Sequence, residues 1–410
     1  MDMQHLGLRL LRSLLLTLCA LLLPALASAQ PAPKITPVSR VFPISPPGLP
    51  KVGPALGATP DGGFLVSWRS EIALDPPVSV IELRRIDAAG APEGDAQRVE
   101  STPINQSLDR PSIAVNAVGV SMVAWQVTSS TPFSDFSPLR GRFFDPSGAV
   151  IGPEVEIASH GRRPRVAALG LRLFVVVWDN APEDISSIEP LARIYDVAGG
   201  GVTPEPPFRV ARRHGFPSQV EATVAADADA RFVVAWTRAN LKASVGIAGR
   251  LFGPDGVPLG DEFPISGDRS VQQPAVAFGL AGGFTVVWNR AGAIFGARFD
   301  DAGHPRGPSF TISAGAGEAR TSPVIAFDPA GRSVVAWGRS ALPRSAGQVF
   351  DASGRAVGPH FLFGPGRQAD PMQLQLAFLA DGRLAAAWTQ ATSSGGPPGI
   401  FGRLFALTLP

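Results

Sequence analysis

Short apolar runs that end in tryptophan recur along the whole chain. They read FLVSW, SMVAW, FVVVW, FVVAW, FTVVW, SVVAW and LAAAW, and they end at Trp68, Trp125, Trp178, Trp236, Trp288, Trp337 and Trp388. A proline stands fourteen residues before the tryptophan in five of the copies: Pro54, Pro111, Pro164, Pro274 and Pro323. Such constant spacing, at a period of about fifty residues, indicates internal repeats.

Each repeat predicts four short strands. The first begins near the proline, where a missing N–H is tolerated, and the second is the run that ends in tryptophan. That run is apolar at successive positions, so both of its faces should be buried. A third strand, such as GRLF, leads into an Asp-x-x-Gly turn, and phrases such as EFPIS (262–266) predict the fourth strand. The turn aspartates are Asp87, Asp145, Asp196, Asp300 and Asp351.

Four antiparallel strands per repeat predict an all-β fold, a seven-bladed β-propeller. We expect blades at about 54–100, 111–159, 164–212, 222–266, 274–313, 323–364 and 372–410. The last repeat lacks a fourth strand, and RVFPIS (40–45) matches EFPIS. An N-terminal strand at 38–45 would therefore complete the last blade and close the ring. A stacked solenoid is the alternative, but it would need capped ends.

The N-terminal segment has the features of a secretory signal. Arg9 and Arg12 precede a leucine-rich stretch, and Ala27-Ser28-Ala29 predicts cleavage near Ala29. We therefore expect a signal peptide at 1–29, a short linker at 30–37, and one propeller domain at 38–410. Cys19 is the only cysteine, and Leu18 before it disfavours a lipoprotein signal. The mature protein should be secreted or periplasmic, with no transmembrane segment.

Charge and composition argue against several classes of binding partner. The formal net charge is +2, and only 17% of the residues are charged. This near balance argues against a nucleic-acid-binding surface. The four histidines after the signal are far apart in sequence, so we expect no metal site and no cofactor. We expect a monomer.

The stretch FVVAW…GIAGRLFGPDGVPLGDEFPIS (232–266) resembles tandem repeats of large secreted bacterial proteins. Those repeats read as an apolar run ending in Trp, followed by a G-I-x-x-R-F-D-x-x-G phrase. The resemblance covers nearly all of 38–410. It implies the fold and a secreted bacterial setting, and its motifs carry no catalytic residue.

One series of charged residues is a candidate ligand site. A cation precedes each innermost strand, at Lys51, Arg110, Arg163, Arg212, Arg269, Arg320 and Arg367. In a propeller these connections surround the mouth of the central channel, where a ring of cations could hold an anionic ligand. The alternative is ordinary solvated loop arginine, partly neutralised by nearby acids such as Asp109 and Asp268.

No catalytic motif occurs in the sequence, and we assign no catalytic residue. The scattered acids Asp179, Glu183 and Asp184 all lie in one predicted loop. The favoured function is therefore a non-catalytic binding or scaffold module that recognises an anionic glycan, peptide or protein through one loop face. The alternative is a propeller hydrolase or lyase with a site in the central funnel of the same face.

Overall fold

The strands follow the repeats, one group of four after another. The structure is a computed structural model, and it describes residues 34–74, 77–100, 107–128, 137–180, 187–198, 201–212, 218–240, 243–279, 282–314, 319–340, 345–364, 372–391 and 396–408. Every regular element in these ranges is a strand. No helix long and apolar enough to cross a membrane occurs among them. The predicted signal at 1–29 lies outside the described residues.

Four of the repeats form separate four-stranded antiparallel sheets in which the strands pair in sequence order. The first sheet contains β3 (Lys51–Ala58), β4 (Phe64–Leu74), β5 (Pro77–Ile86) and β6 (Pro92–Arg98). The fourth repeat contributes β15 (Ser218–Ala226), β16 (Phe232–Ala239), β17 (Ser244–Phe252) and β18 (Phe263–Ser266). The fifth contributes β19 (Val271–Phe278), β20 (Phe284–Arg290), β21 (Ala293–Phe299) and β22 (Phe310–Ser313). The sixth contributes β23 (Arg320–Phe327), β24 (Ser333–Arg339), β25 (Ser345–Phe350) and β26 (Ala356–Leu362).

The second and third repeats share one eight-stranded sheet, so seven repeats give six sheets. Its strands are β7 (Ser107–Val115), β8 (Ser121–Thr128), β9 (Ser137–Phe144), β10 (Val150–Leu169), β11 (Leu173–Asn180), β12 (Glu189–Ala198), β13 (Gly201–Pro204) and β14 (Phe208–Arg209). The long β10 joins the two repeats, because its first part pairs with β9 and its second part with β11. β10 thus serves as the outer strand of one repeat and the inner strand of the next.

The last sheet combines both ends of the described chain. β27 (Met372–Phe378), β28 (Leu384–Gln390) and β29 (Gly399–Thr408) pair in order, and β1 (Lys34–Pro37) and β2 (Phe42–Pro43) both pair antiparallel with β29. The N-terminal pairing therefore starts at Lys34, inside the stretch predicted as a linker at 30–37. It also divides the single strand predicted at 38–45 into two shorter pairings.

The core lies between successive repeats. All seven tryptophans are at most 1% exposed, which confirms them as interior anchors. Each hydrophobic cluster joins one repeat to the next, and one cluster joins the first repeat to the last: Phe64, Val66 and Trp68 pack with Ala385 and Ala387. The repeated turn aspartates act locally, since Asp87 Oδ1 accepts from the N–H groups of Ala89 and Ala91. The all-β propeller architecture is confirmed.

Candidate functional site in the central cavity

A cavity of about 530 Å³ lies where the first strands of all seven repeats meet. Residues of β3, β7, β10, β15, β19, β23 and β27 all line it. Because every repeat contributes its innermost strand, no single segment of the chain forms this site. We call it the central cavity.

Each first strand is interrupted by a bulge where it reaches the cavity. The pairing between first and second strands shifts register once in every repeat. The bulged residue stands fifteen residues before the tryptophan in each repeat and has a positive φ, between 49° and 65°. These seven bulge residues are Gly53, Arg110, Arg163, Glu221, Gln273, Ser322 and Gln373.

Six of the seven bulge residues are not glycine, although their conformation favours glycine. A side chain in the left-handed region costs about 1–2 kcal/mol, and Gly53 shows that glycine fits the position. All six side chains are polar, and all six residues line the central cavity. Strained non-glycine residues gather at functional sites, so these side chains mark the cavity as the candidate site.

Opposite parts of the cavity wall differ in charge. Arg110, Arg163 and Arg165 come from the second and third repeats, and Gln273 and Gln373 come from the fifth and seventh. The side chain of Arg165 contacts solvent, but the surrounding cavity wall desolvates it and so lowers its pKa. The charges of Arg163 and Arg110 lower this pKa further, whereas the charge of Asp179 raises it. The cavity thus has a cationic side and an amide side.

Glu221 brings a carboxylate into the cavity wall beside the cationic side. Its Oε2 accepts from the N–H of Gln273 at 2.7 Å and from Oγ1 of Thr237 at 3.1 Å. Its Oε1 lies 3.9 Å from Nη1 of Arg163, and the side chain is 20% exposed. One carboxylate oxygen is therefore fixed by the fold while the other lies beside a guanidinium.

Asp179 lies behind Glu221 and holds it in place. Its side chain is fully buried, 3.5 Å from Nη1 of Arg163. Its carboxylate accepts from the backbone N–H groups of Glu221 at 3.1 Å and Ala222 at 3.2 Å. Burial raises the pKa of Asp179, while Arg163 and the two backbone N–H groups act in the opposite direction. Because it is buried, Asp179 positions the bulge of Glu221 and does not itself reach a ligand.

The structure brings two of the predicted ring cations to the cavity, Arg110 and Arg163. Lys51 is buried and donates to the carbonyl oxygen of Leu49 at 2.9 Å, and Arg320 is also buried. Arg212 pairs with Asp261, and Arg269 is exposed away from the cavity lining. Arg367, Glu183 and Asp184 lie outside the described residues.

Sequence reasoning missed Arg165, Glu221 and the glutamines of the cavity. A detectable signal exists: the residue directly before the proline position, fifteen before each tryptophan, is the bulge residue in all seven repeats. Counting cations upstream of each strand selected residues at several different distances from it. Among the described residues, no group of three or more His, Cys, Asp or Glu is placed to hold a metal ion.

Comparisons with known proteins identify the fold and no family. No family model matches the chain, and no curated protein matches it. A protein of unknown function from Dyadobacter fermentans is similar at 12% identity and TM-score 0.57, covering 91% of this chain and 99% of its own. An α-L-arabinanase from Penicillium chrysogenum has 14% identity and TM-score 0.53, covering 78% and 99%. An α-L-arabinofuranosidase from Fusarium graminearum has 9% identity and TM-score 0.51, covering 78% and 96%.

These similarities correct the expected function. The non-catalytic binding or scaffold module was the wrong choice, because solved structures that share the architecture include glycan-cleaving enzymes. The alternative, a propeller hydrolase with a site in the central funnel, is favoured instead. At 9% and 14% identity the likeness itself shows only the fold, so the chemistry has to be argued from the residues of the cavity.

Proposed function

We propose that this protein is a propeller hydrolase that cleaves an anionic glycan in the central cavity, with Glu221 as its acid–base residue. The observation that carries this proposal is the Glu221 carboxylate beside Arg163, held on a strained bulge in the wall of a polar cavity. Acid–base catalysis needs such a positioned group within reach of the reacting bond.

The arginines on the cationic side indicate which class of substrate the cavity would bind. Arg110, Arg163 and Arg165 together carry three guanidinium groups into the cavity wall. Guanidinium groups bind carboxylates through paired, charge-assisted hydrogen bonds. A glycan with a carboxylate on its sugar ring would place that group on the arginines and its glycosidic bond toward Glu221.

The proposed reaction consumes one water molecule. Glu221 Oε1, as an ionised carboxylate, takes a proton from the attacking water, whose oxygen forms the new bond to the anomeric carbon. The glycosidic C–O bond breaks, the leaving oxygen receives a proton from solvent in the open cavity, and Glu221 then returns its proton to solvent, so that the net change is the addition of one water molecule. Arg163, bridging Asp179 and Glu221, keeps the Glu221 carboxylate oriented.

The proposal includes a ring of seven blades closed by the N-terminal strands. Three observations support it: seven first strands meet at one cavity, β1 and β2 pair with β29, and the first and last repeats share a hydrophobic cluster. Pairing of this kind removes an exposed sheet edge. We also propose that the protein is a monomer.

We also propose that the protein is exported after cleavage of an N-terminal signal, and that it belongs to the secreted bacterial repeat type that the sequence resembles. It rests on Arg9, Arg12 and Ala27-Ser28-Ala29 in the sequence. The intact mass of exported protein should correspond to a chain that starts at Gln30. A lipid-modified start at Cys19 would contradict the proposed route.

The test of the hydrolase proposal is release of reducing ends from purified polysaccharides. Polygalacturonate, alginate and hyaluronan represent uronate-containing glycans, and arabinan and dextran are the neutral comparison. We expect cleavage of at least one anionic polymer, with E221Q reduced at least a hundredfold and E205Q, an exposed carboxylate outside the cavity, unchanged. Activity that persists in E221Q, or cleavage of neutral polymers alone, would overturn the proposal.

A further inference from the structure

The five-residue run that ends in tryptophan starts with a large apolar residue in five repeats and with serine in two. The large residues are Phe64, Phe174, Phe232, Phe284 and Leu384, and the serines are Ser121 and Ser333. This first residue faces the preceding repeat: Phe284, for example, packs with Val233 and Leu251 of the fourth repeat. A serine at this position leaves the space of a large side chain unfilled.

Both serines line a cavity between two repeats. A cavity of about 210 Å³ contains Ser333 and lies between the fifth and sixth repeats. A second cavity, of about 200 Å³, contains Ser121 and lies between the first and second. Gln273, at the start of β19, lines the central cavity, whereas Gly279, directly after the end of β19, lines the Ser333 cavity. The two cavities share one lining residue, Ile325, and the Ser333 cavity contains neither Glu221 nor the arginines of the site proposed above.

The two serine cavities differ in chemistry. Five phenylalanines lie in the wall of the Ser333 cavity, namely Phe284, Phe299, Phe310, Phe327 and Phe350. The Ser121 cavity is instead lined by charges of both signs, including Arg84, Arg85, Glu93 and Asp95. An apolar cavity of about 150 Å³ binds benzene, so the Ser333 cavity has room for one substituted six-membered ring.

Two arginines lie at the Ser333 cavity beside its aromatic wall. The Arg298 guanidinium lies 4.9 Å above the ring of Phe310, and its Nη1 donates to the carbonyl oxygen of Ser353 at 3.0 Å. Arg306 Nη2 donates to the carbonyl oxygen of Gly282 at 3.0 Å. A guanidinium has five N–H donors, so each of these arginines can also donate to a bound anion. Asp351, the acid in this wall, accepts from the backbone N–H groups of its own turn.

We propose that the Ser333 cavity binds a small aromatic carboxylate. The ring enters the space left by the missing phenylalanine and stacks among the aromatic side chains. The carboxylate lies toward Arg298 and Arg306. Burial of the ring supplies the affinity, and the arginines select an anionic substituent over an uncharged one.

Isothermal titration calorimetry with benzoate, and with toluene as the uncharged analogue, tests this site. We expect saturable 1:1 binding of benzoate to the wild-type protein and at least tenfold weaker binding to R298Q/R306Q, with toluene binding unchanged in that variant. S333F should abolish benzoate binding by filling the cavity, and S333L provides a smaller filling residue if S333F does not fold.

Two matched controls separate this site from other sites. S121F fills the polar cavity and should leave benzoate binding unchanged, and R110Q/R165Q removes arginines of the central cavity with the same expectation. Absence of saturable benzoate binding, or equal binding by S333F and the wild type, would overturn the proposal. Loss of binding in R110Q/R165Q with retention in S333F would also contradict it by placing benzoate in the central cavity. None of these outcomes depends on hydrolase activity.

Discussion

The backbone N–H of Gly53 donates a hydrogen bond to Oε1 of Gln373 at 2.8 Å, although 320 residues separate the two along the chain. The same contact joins sequential repeats: the N–H of Ser322 donates to Oε1 of Gln273 at 2.8 Å, and the N–H of Gln273 donates to Oε2 of Glu221 at 2.7 Å. In each case a bulge side chain binds the bulge backbone of the next repeat. The last and first repeats are thus connected as sequential repeats are.

Replacing Gln373 by Ala should destabilise the protein by about 1 kcal/mol, the ordinary net contribution of such a hydrogen bond. Q273A makes the matched comparison, because it removes the same contact between sequential repeats. Urea denaturation followed by tryptophan fluorescence measures both. If Q273A lowers the free energy of unfolding while Q373A leaves it unchanged, the hydrogen bond between Gly53 and Gln373 does not contribute to joining the first and last repeats in solution.

Deleting residues 34–45 should cost far more, because it removes β1 and β2 from β29 together with the buried Ile44. Burial of Ile44 alone contributes about 1.5–3 kcal/mol, and the freed edge of β29 can pair with other chains. We expect aggregation or a strongly lowered melting temperature, measured by light scattering and calorimetry. A truncated monomer that melts like the intact chain would refute ring closure by these strands.

Tyr195 is the only tyrosine, so its ionisation can be followed without interference. Burial raises its pKa from 10.0 to about 12. The folded protein therefore retains this proton where the unfolded chain loses it, and stability should fall as pH rises from 10.0 to about 12, by about 1.4 kcal/mol per pH unit. Tyrosinate absorbance measures the titration, and Y195F should lack both the signal and this part of the pH dependence. A midpoint near pH 10 would show that the Tyr195 hydroxyl is solvated.

The sequence predicts the architecture well because its signals are local and repeated. Each run before Trp is apolar on both faces, so it needs a neighbouring repeat on each side. Asp87 and its equivalents stabilise their turns by accepting hydrogen bonds from backbone N–H groups of the same turn. The division of the N-terminal strand into β1 and β2 was not predictable, because it depends on the shape of the β29 edge.

The site could be predicted only in part, for a geometric reason. A bulge breaks the alternation of side chains along a strand, so the direction of Arg163 and Glu221 does not follow from the pattern around them. The residues that line the cavity come from seven repeats, and only the assembled fold places Arg110 and Arg165 on the same wall. A search by charge alone therefore also selected Lys51 and Arg212, which contact the Leu49 carbonyl and Asp261 and do not line the cavity.

Asp179 should act through Glu221, and a double-mutant cycle can reveal this. D179N weakens the acceptor for the backbone N–H groups of Glu221 and Ala222 and removes a charge near Arg163. We expect kcat on the cleaved glycan to fall about tenfold, corresponding to about 1.4 kcal/mol, with KM little changed. The E221Q/D179N variant should then be no slower than E221Q. Additive losses would mean that Asp179 acts independently of Glu221.

The arginines of the cavity should control substrate binding and its dependence on salt. R110Q/R165Q removes two guanidinium groups from the cavity wall and leaves the contact between Arg163 and Asp179 in place. We expect KM for the anionic glycan to rise at least tenfold, because each charged hydrogen bond contributes about 1.5–3 kcal/mol, while kcat changes little. Steady-state kinetics between low and high salt should also show KM rising with salt in the wild type and less steeply in the variant. R212Q/R269Q removes two cations outside the cavity lining and should behave like the wild type. If it instead reproduces the loss, then the general positive charge of the face binds the glycan, and the cavity arginines have no special role.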